Sequence, residues 1–163
     1  MIIDRVDRRD HRVGTIRRAQ VFQEKANFRV AHVFVFDSNG RLLLQQLGRN
    51  RERHSLYWGS SVAAYLFSEE TYRQAALRRL KEEIGLVNLS MTSLGKTSMV
   101  DAGCKKFITL YVSKSDGPFF VDQHHIETVR FFGLDVIDSM MNRGRVKFTP
   151  TFRHLFEFFR RQA

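Results

Sequence analysis

The sequence predicts an α+β fold of the α/β/α layered kind, in which helices pack on both sides of a mixed β-sheet. One indication is the run Val30–Phe36, where β-branched and aromatic residues dominate, a pattern typical of a strand covered on both faces. A second is the helical spacing of apolar residues over 69–84. A third is the same spacing after Pro150 at the C-terminal end. We expect residues 1–163 to form a single domain of this class.

Length and composition agree with this expectation. The chain has 163 residues, of which 43% are hydrophobic and 12% aromatic, whereas disordered chains are poor in aromatic residues. The longest apolar run, Val62 to Phe67, covers about six residues, against roughly 20 for a membrane-spanning helix. Met1 leads into charged residues without an apolar leader, and the single Cys104 cannot form an intrachain disulfide. We therefore expect a cytoplasmic protein that does not enter membranes.

The chain is strongly basic, with 27 Lys and Arg residues against 17 Asp and Glu residues and a formal charge of +10. Twenty of the basic residues are Arg, whose planar guanidinium groups match the oxygens of phosphate. This composition indicates an anionic partner, such as a nucleotide, another diphosphate or RNA. A solvated basic surface without a ligand is the alternative, and no pattern indicates an oligomeric state.

The first half of the chain predicts mainly β-structure. Residues 4–16 form an edge strand and turn in which three apolar side chains face the core, namely Val6, Val13 and Ile16. Residues 30–44 predict a β-hairpin, because apolar runs flank the turn sequence Asp37-Ser38-Asn39-Gly40. Residues 48–54 form a basic loop without an apolar anchor, and loops of this kind often contact ligands. A short strand follows at 62–66.

From residue 69 onward, the sequence predicts three helices and three further strands. Ser68 is a favourable N-cap and Gly85 a favourable C-terminal stop, so we expect a helix over residues 69–84 with Glu69 and Glu70 in its first turn. The remaining apolar patterns indicate, in chain order, strands at 94–100, 107–112 and 128–132 and helices at 135–142 and from Pro150 onward.

Glu82 and Glu83 are adjacent carboxylates near the end of the first helix. Carboxylate oxygens are the ligands that magnesium prefers, so the pair is a candidate metal site. Arg78 and Arg79 precede them by three to five positions, a spacing that also allows ion pairs along the helix surface. Spacing alone leaves both interpretations open.

In this region the sequence resembles the Nudix superfamily, whose signature is a Gly, five residues, a Glu, seven residues and then Arg-Glu-apolar-any-Glu-Glu-any-Gly-apolar. Seven residues match this register: Glu70, Arg78, Leu80, Glu82, Glu83, Gly85 and Leu86. The resemblance extends over residues 2–160 and is greatest to the branch that contains isopentenyl-diphosphate isomerase and its hydrolase-like relatives. Asp37–Gln45, Tyr57-Trp58 and Phe148-Thr149-Pro150 are further points of similarity. The resemblance implies a mixed β-sheet sandwich flanked by helices.

The resemblance also implies chemistry. Members of the family cleave diphosphates that are linked to another moiety, using Mg²⁺ or Mn²⁺ to activate water and to neutralise phosphate charge. By this resemblance Glu82 and Glu83 are the catalytic and metal-binding residues, and Glu70 with Arg78 forms a structural ion pair. Gly85 completes the structural part of the signature.

Four positions in and beside the signature depart from the family pattern, and one of them is Glu69, which stands where a Gly precedes the first signature Glu. Arg79 replaces a carboxylate that commonly binds metal or acts as a general base, and Ala63 and Ala64 stand where glycines are usual. We expect weaker metal binding, because Arg79 can pair with Glu82 or Glu83. Three acids from later segments are candidates to compensate: Asp101, Asp122 and Glu127.

Isomerase activity is not expected. The isomerases have a functional Cys where this chain has Ala63 and a metal-binding His where it has Tyr65. Isomerisation of a double bond needs a proton donor and a proton acceptor, and neither is present at those positions.

Two functions therefore remain open. The first is metal-dependent hydrolysis of an organic pyrophosphate, such as a nucleoside diphosphate derivative. The second is a catalytically degenerate module that binds a nucleotide, RNA or a protein. In the first case, four basic side chains are candidates to hold phosphate oxygens: Arg41, Arg49, Arg51 and Arg53.

Overall fold

The computed structural model describes residues 1–162 and confirms the predicted α+β class with a mixed sheet between helices. The strands are β1 (Ile2–Val6), β2 (Arg12–Arg17), β3 (Phe28–Phe36), β4 (Leu42–Leu47), β5 (Trp58–Gly59), β6 (Val62–Tyr65), β7 (Thr92–Asp101), β8 (Cys104–Lys114) and β9 (Ile126–Phe132). The helices are α1 (Tyr72–Ile84), α2 (Leu134–Arg143) and α3 (Pro150–Gln162). None of the helices in residues 1–162 has the length and apolar character needed to cross a bilayer.

Strand β3 is the centre of the fold. It pairs in parallel with β8 over its whole length, from Phe28 opposite Lys106 to Phe36 opposite Lys114. Its other edge pairs antiparallel with β6, from Val30 opposite Tyr65 to Val33 opposite Val62. Strand β7 extends this sheet beyond β8, and β1 and β2 form a separate antiparallel pair.

Alternate side chains of β3 enter two different cores, as its apolar pattern predicts. Phe28, Val30 and Phe34 pack with residues of α3, whereas Ala31, Val33 and Val35 pack with residues of α1. All six side chains are almost completely buried. The strand is therefore covered on both faces, which explains why it lacks the apolar–polar alternation of a half-exposed strand.

The predicted hairpin over residues 30–44 is confirmed at its turn and in its antiparallel direction, but the pairing of its two strands is short. Asp37 accepts hydrogen bonds from the backbone N–H groups of Asn39 and Arg41 and so organises the turn. Strands β3 and β4 then pair only at Phe36 and Leu42. Beyond that point β4 pairs with β5 and β9, although both arms contribute apolar side chains to the same two cores.

Two local predictions are wrong. Val13 is 62% exposed, whereas Val6 and Ile16 are buried as expected. Helix α1 begins after Thr71, not after Ser68, because Thr71 and Gln74 form a reciprocal capping box. Ser68 instead donates a hydrogen bond to Asp4.

Helix α1 ends at Gly85, as the sequence predicts. Gly85 has a φ of 73°, in the left-handed region, and the N–H groups of Gly85 and Leu86 donate to the carbonyls of Lys81 and Leu80. Phe120 packs against this turn and donates its backbone N–H to the carbonyl of Ile84. A Cβ atom on Gly85 would lie 2.8 Å from the Cβ atom of Phe120. The turn therefore excludes any side chain at position 85.

We predict that Gly85→Ala destabilises the protein more than Gly144→Ala, which is a matched control. Gly144 ends α2 with a φ of 66°, but no atom lies within 4 Å of a Cβ built there. Gly144→Ala should therefore lower the free energy of unfolding by the left-handed conformational penalty alone, about 1 kcal/mol. Gly85→Ala adds a steric clash and should cost about 2–3 kcal/mol. Urea unfolding compares the two, and equal losses would contradict the packing described for Gly85.

Candidate functional site

The candidate site lies where the C-terminal half of α1 meets β6. Glu83 is on the same side of α1 as the core residues Ala76 and Leu80, and only 2% of it is exposed. Its Oε1 atom lies 3.3 Å from the backbone N–H of Ala63, and its Oε2 atom lies 3.4 Å from the side-chain amide of Gln45. Burial raises the pKa of Glu83, although Arg79 and these hydrogen bonds act in the opposite direction. The protein thus holds a carboxyl group at the edge of its core.

Arg79 bridges the two candidate catalytic residues. One terminal nitrogen, Nη1, lies 2.9 Å from Oε2 of Glu82, and the other, Nη2, lies 3.2 Å from Oε2 of Glu83. Its Nε atom points to the carbonyl oxygen of Ala63 at 3.5 Å. The spacing of three and four residues along a helix brings these side chains together. The arginine that departs from the family signature is therefore in contact with both of the carboxylates that follow it.

Glu70 and Arg78 form a bidentate ion pair. The Nε and Nη2 atoms of Arg78 each lie 2.9 Å from the carboxylate of Glu70, and Nη2 also donates to the carbonyl of Tyr65. The guanidinium group lies 3.7 Å from the ring centre of Phe67, and Glu70 accepts the backbone N–H of Phe67. This pair joins β6, the loop after it and α1, and so fixes the distance between Ala63 and Glu83.

The basic loop at residues 48–54 is held by an ion pair near each end. Arg49 pairs with Glu127 at 2.7 Å, and Arg53 pairs with Asp101 at 2.6 Å. Between them Arg51 is turned inward, and its Nε atom is buried with no hydrogen-bond partner among the residues that the structure describes. Burial lowers the pKa of Arg51, and the nearby charges of Arg18 and Arg79 lower it further, whereas Glu83 raises it. The charge of Arg51 therefore interacts with the charges of both Glu83 and Arg79.

Arg41 is the fourth candidate phosphate contact, and its neighbours differ from those of Arg49, Arg51 and Arg53. It pairs with Asp37 at 2.7 Å within the β3–β4 turn, and its guanidinium group lies over the ring of Phe131. The four predicted arginines are thus not one cluster. Arg51 is the member whose charge acts on Glu83 and Arg79, and the region between these three residues is the candidate cleft.

Two further basic residues lie near the arginines of the basic loop, and the sequence did not indicate either as a site residue. Arg18 lies 4.6 Å from the ring centre of Tyr65 and near Arg51. Buried Lys106 donates to Asp101 at 3.0 Å and to the hydroxyl of Thr151 at 2.6 Å. The only sequence signal for Lys106 is a charged residue within the largely apolar strand β8. No local pattern indicates Arg18.

His32 is a core histidine rather than a ligand. It is buried on β3, and its Nδ1 atom lies 2.8 Å from the hydroxyl of Ser60. Burial, helped by the nearby charge of Lys106, lowers the pKa of His32 to about 3. The imidazole is therefore neutral at physiological pH.

The residues present do not fit a divalent metal ion in this arrangement. Such ions need several oxygen ligands, and residues 1–162 hold no group of three or more His, Cys, Asp or Glu side chains placed to bind one. Glu82 and Glu83 are both bound to Arg79. The three acids expected to compensate have other partners, since Asp101 contacts Arg53 and Lys106, Asp122 contacts His125, and Glu127 contacts Arg49.

The sequence and the fold both match known proteins. A family model described as NUDIX domain matches residues 26–152. An uncharacterized Nudix hydrolase of Listeria innocua is 34% identical over 133 residues, which cover 78% of this chain and 76% of that protein. Isopentenyl-diphosphate Delta-isomerases are also among the matching relatives, in agreement with the branch that the sequence resembles.

Two solved structures share the fold. DR0079 from Deinococcus radiodurans superposes with a TM-score of 0.85 at 22% identity and covers 100% of this chain and 99% of that chain. The NUDIX domain of Shewanella oneidensis NrtR, solved with ADP ribose, superposes with a TM-score of 0.66 at 16% identity and covers 90% and 99% of the two chains. These similarities establish the architecture around the cleft.

We predict that His32 makes the protein less stable in mild acid. An unfolded histidine has a pKa near 6.5, so between about pH 6.5 and 3 the unfolded state binds a proton that the folded state excludes. From pH 7 to pH 5 this should lower the free energy of unfolding by about 2 kcal/mol. Urea unfolding of the natural protein and of His32→Gln at both pH values isolates this contribution. An identical change with pH in the two proteins would contradict the prediction.

Proposed function

Because the chain belongs to the Nudix family, we propose that its cleft binds an organic pyrophosphate, with a nucleoside diphosphate derivative as the class of ligand. The observation that carries this proposal is Arg51. Its buried Nε–H group has no acceptor among the described residues, and Arg51 borders the cleft. A buried donor without an acceptor is costly, and a phosphate oxygen is the acceptor that guanidinium groups bind best.

The charges around Arg51 support the same ligand. The guanidinium groups of Arg18 and Arg79 are close enough to oppose the charge of Arg51, and Glu83 is the acid that attracts it most. Arg18, Arg51 and Arg79 together carry one more charge than Glu82 and Glu83, the two carboxylates that contact Arg79. A pyrophosphate would remove the mutual repulsion of the three arginines and gain several charge-assisted hydrogen bonds.

The ends of the basic loop have a supporting role in this proposal. Arg49 and Arg53 are engaged with Glu127 and Asp101, so they hold the loop over the cleft instead of offering free guanidinium groups. The nucleotide class is supported by the family and by the NrtR domain of the same fold, which was solved with ADP ribose. ADP-ribose is therefore a suitable first probe, with inorganic pyrophosphate as its minimal form.

Replacing Arg51 should weaken binding of both probes. Arg51→Gln removes the orphan donor and one positive charge, and we expect the Kd of ADP-ribose to rise tenfold or more. Arg130→Gln is the matched control, because Arg130 is exposed on β9, outside the cleft residues described above. Isothermal titration calorimetry measures both variants. Equal affinity of Arg51→Gln and the natural protein would contradict the proposed site, and so would equal losses in the two variants.

RNA is the alternative polyanionic partner, and salt dependence separates it from a small nucleotide. An RNA that contacts many cations would show a steep fall of log K with log salt, whereas one pyrophosphate group gives a shallow slope. We expect the shallow slope for the natural ligand class. Tighter binding of a short single-stranded RNA than of ADP-ribose, with a steep slope, would favour the RNA alternative.

Metal-dependent hydrolysis is the second candidate function. One observation favours it, namely that Glu82 and Glu83 occupy the signature positions for metal ligands. Hydrolysis of this kind requires the side chain of Arg79 to move away from both Glu82 and Glu83. A screen of nucleotide and sugar diphosphates with Mg²⁺ or Mn²⁺ tests it, with Glu83→Gln as control. Metal-dependent product that disappears in this variant would establish hydrolysis. No turnover by the natural protein, together with a gain of activity in Arg79→Glu, would identify a disabled hydrolase.

A further inference from the structure

The contacts of Arg79 place a positive group where two adjacent carboxylates converge. Its two terminal nitrogens lie 2.9 Å from Glu82 and 3.2 Å from Glu83, and the backbone carbonyl of Ala63 lies near its third nitrogen. An ion that used both carboxylates would need the space that this guanidinium group occupies. The side chain of Arg79 is 26% exposed, so it remains partly accessible to solvent.

Displacing Arg79 would be costly because of Glu83. This residue is 2% exposed, and Nη2 of Arg79 lies 3.2 Å from its carboxylate. Without Arg79, a charged Glu83 would be left buried with one weak amide contact, one backbone donor and the nearby charge of Arg51. A divalent ion would also meet the nearby positive charge of Arg51.

Arg79 also keeps donors for a ligand. A guanidinium group has five N–H donors, and each terminal nitrogen carries two of them. Hydrogen bonds to Glu82 and to the carbonyl of Ala63 use one N–H of Nη1 and the Nε–H, and one N–H of Nη2 is taken as facing Glu83 in the ion pair. Two N–H groups therefore remain for phosphate oxygens, on the same guanidinium group that neutralises the carboxylates.

We propose that Arg79 takes the place of the divalent cation, so that this cleft binds its pyrophosphate ligand without a metal ion. This inference rests on the proposed function. In this arrangement Arg51 and Arg79 both hold phosphate oxygens, and the charge that a metal ion would supply comes from the chain itself. Binding is then unaffected by chelators, and added Mg²⁺ competes for the ligand instead of assisting it.

Calorimetry with ADP-ribose tests the inference. We expect the natural protein to bind with the same Kd, within about twofold, in EDTA and without EDTA at trace metal, and to bind no tighter in millimolar Mg²⁺. Arg79→Gln should raise the Kd measured in EDTA by about tenfold to a hundredfold. Binding that requires Mg²⁺ would overturn the inference and leave the proposed function standing. No binding under any condition would instead overturn the proposed function.

Direct metal binding gives an independent readout. Mn²⁺ titrated into the natural protein without a nucleotide, followed by electron paramagnetic resonance, should stay free in solution. Arg79→Glu restores a third carboxylate and should bind Mn²⁺, whereas Lys81→Glu is the control, because it makes the same charge change two residues away on an exposed position. Mn²⁺ binding by the natural protein that is lost in Glu82→Gln would overturn the inference. So would equal Mn²⁺ binding by Arg79→Glu and Lys81→Glu.

Circular dichroism and urea unfolding of each variant show that it is folded before binding is compared. Arg79→Lys provides a second test that keeps the charge. Lysine cannot bridge two carboxylates and present further planar donors at once, so it should bind ADP-ribose more weakly than the natural protein in EDTA. Full affinity in Arg79→Lys would overturn the role of the guanidinium geometry.

Discussion

The burial of one carboxyl group, Glu83, determines how the rest of the site is arranged. A carboxylate that is removed from water needs a nearby cation and hydrogen-bond donors, or it becomes protonated. Glu83 receives a backbone N–H from Ala63, a contact from Gln45 and the guanidinium group of Arg79. These partners come from β6, β4 and α1. The site therefore exists only when all three elements are packed together.

The scaffold makes this meeting possible through a few specific contacts. The Glu70–Arg78 pair ties α1 to the end of β6, and Gly85 ends the helix two residues after Glu83 so that Phe120 can close against it. Strand β3 supports β6 from the side and is itself held between two cores. The basic loop is anchored to β9 by the ion pair of Arg49 with Glu127 and to β7 by the ion pair of Arg53 with Asp101. In this arrangement Arg51 borders the cleft, where its position depends on ion pairs between distant segments.

Much of the fold could be predicted from the sequence because the deciding signals are local. The unbroken apolar pattern of β3, the glycine after Ile84 and the spacing of Arg79 with Glu82 and Glu83 each act within a few residues. The start of α1 was harder to predict because Ser68, Thr71 and Glu70 all suit a helix terminus. Tertiary contacts decide between them, since Ser68 bonds to Asp4 and Glu70 to Arg78. The partners of β4, and the separation of Arg51 from Arg41, depend on long-range packing that no short pattern encodes.

The central claim is that a guanidinium group, and not a metal ion, faces the phosphates of the ligand. The most direct measurement is a crystal structure of the protein grown with inorganic pyrophosphate and excess Mn²⁺, with anomalous diffraction data to locate manganese. We expect phosphate oxygens in contact with the Nε of Arg51 and with Arg79, and no manganese peak between Glu82 and Glu83. A manganese peak on these two carboxylates, with Arg79 turned away from them, would contradict the account.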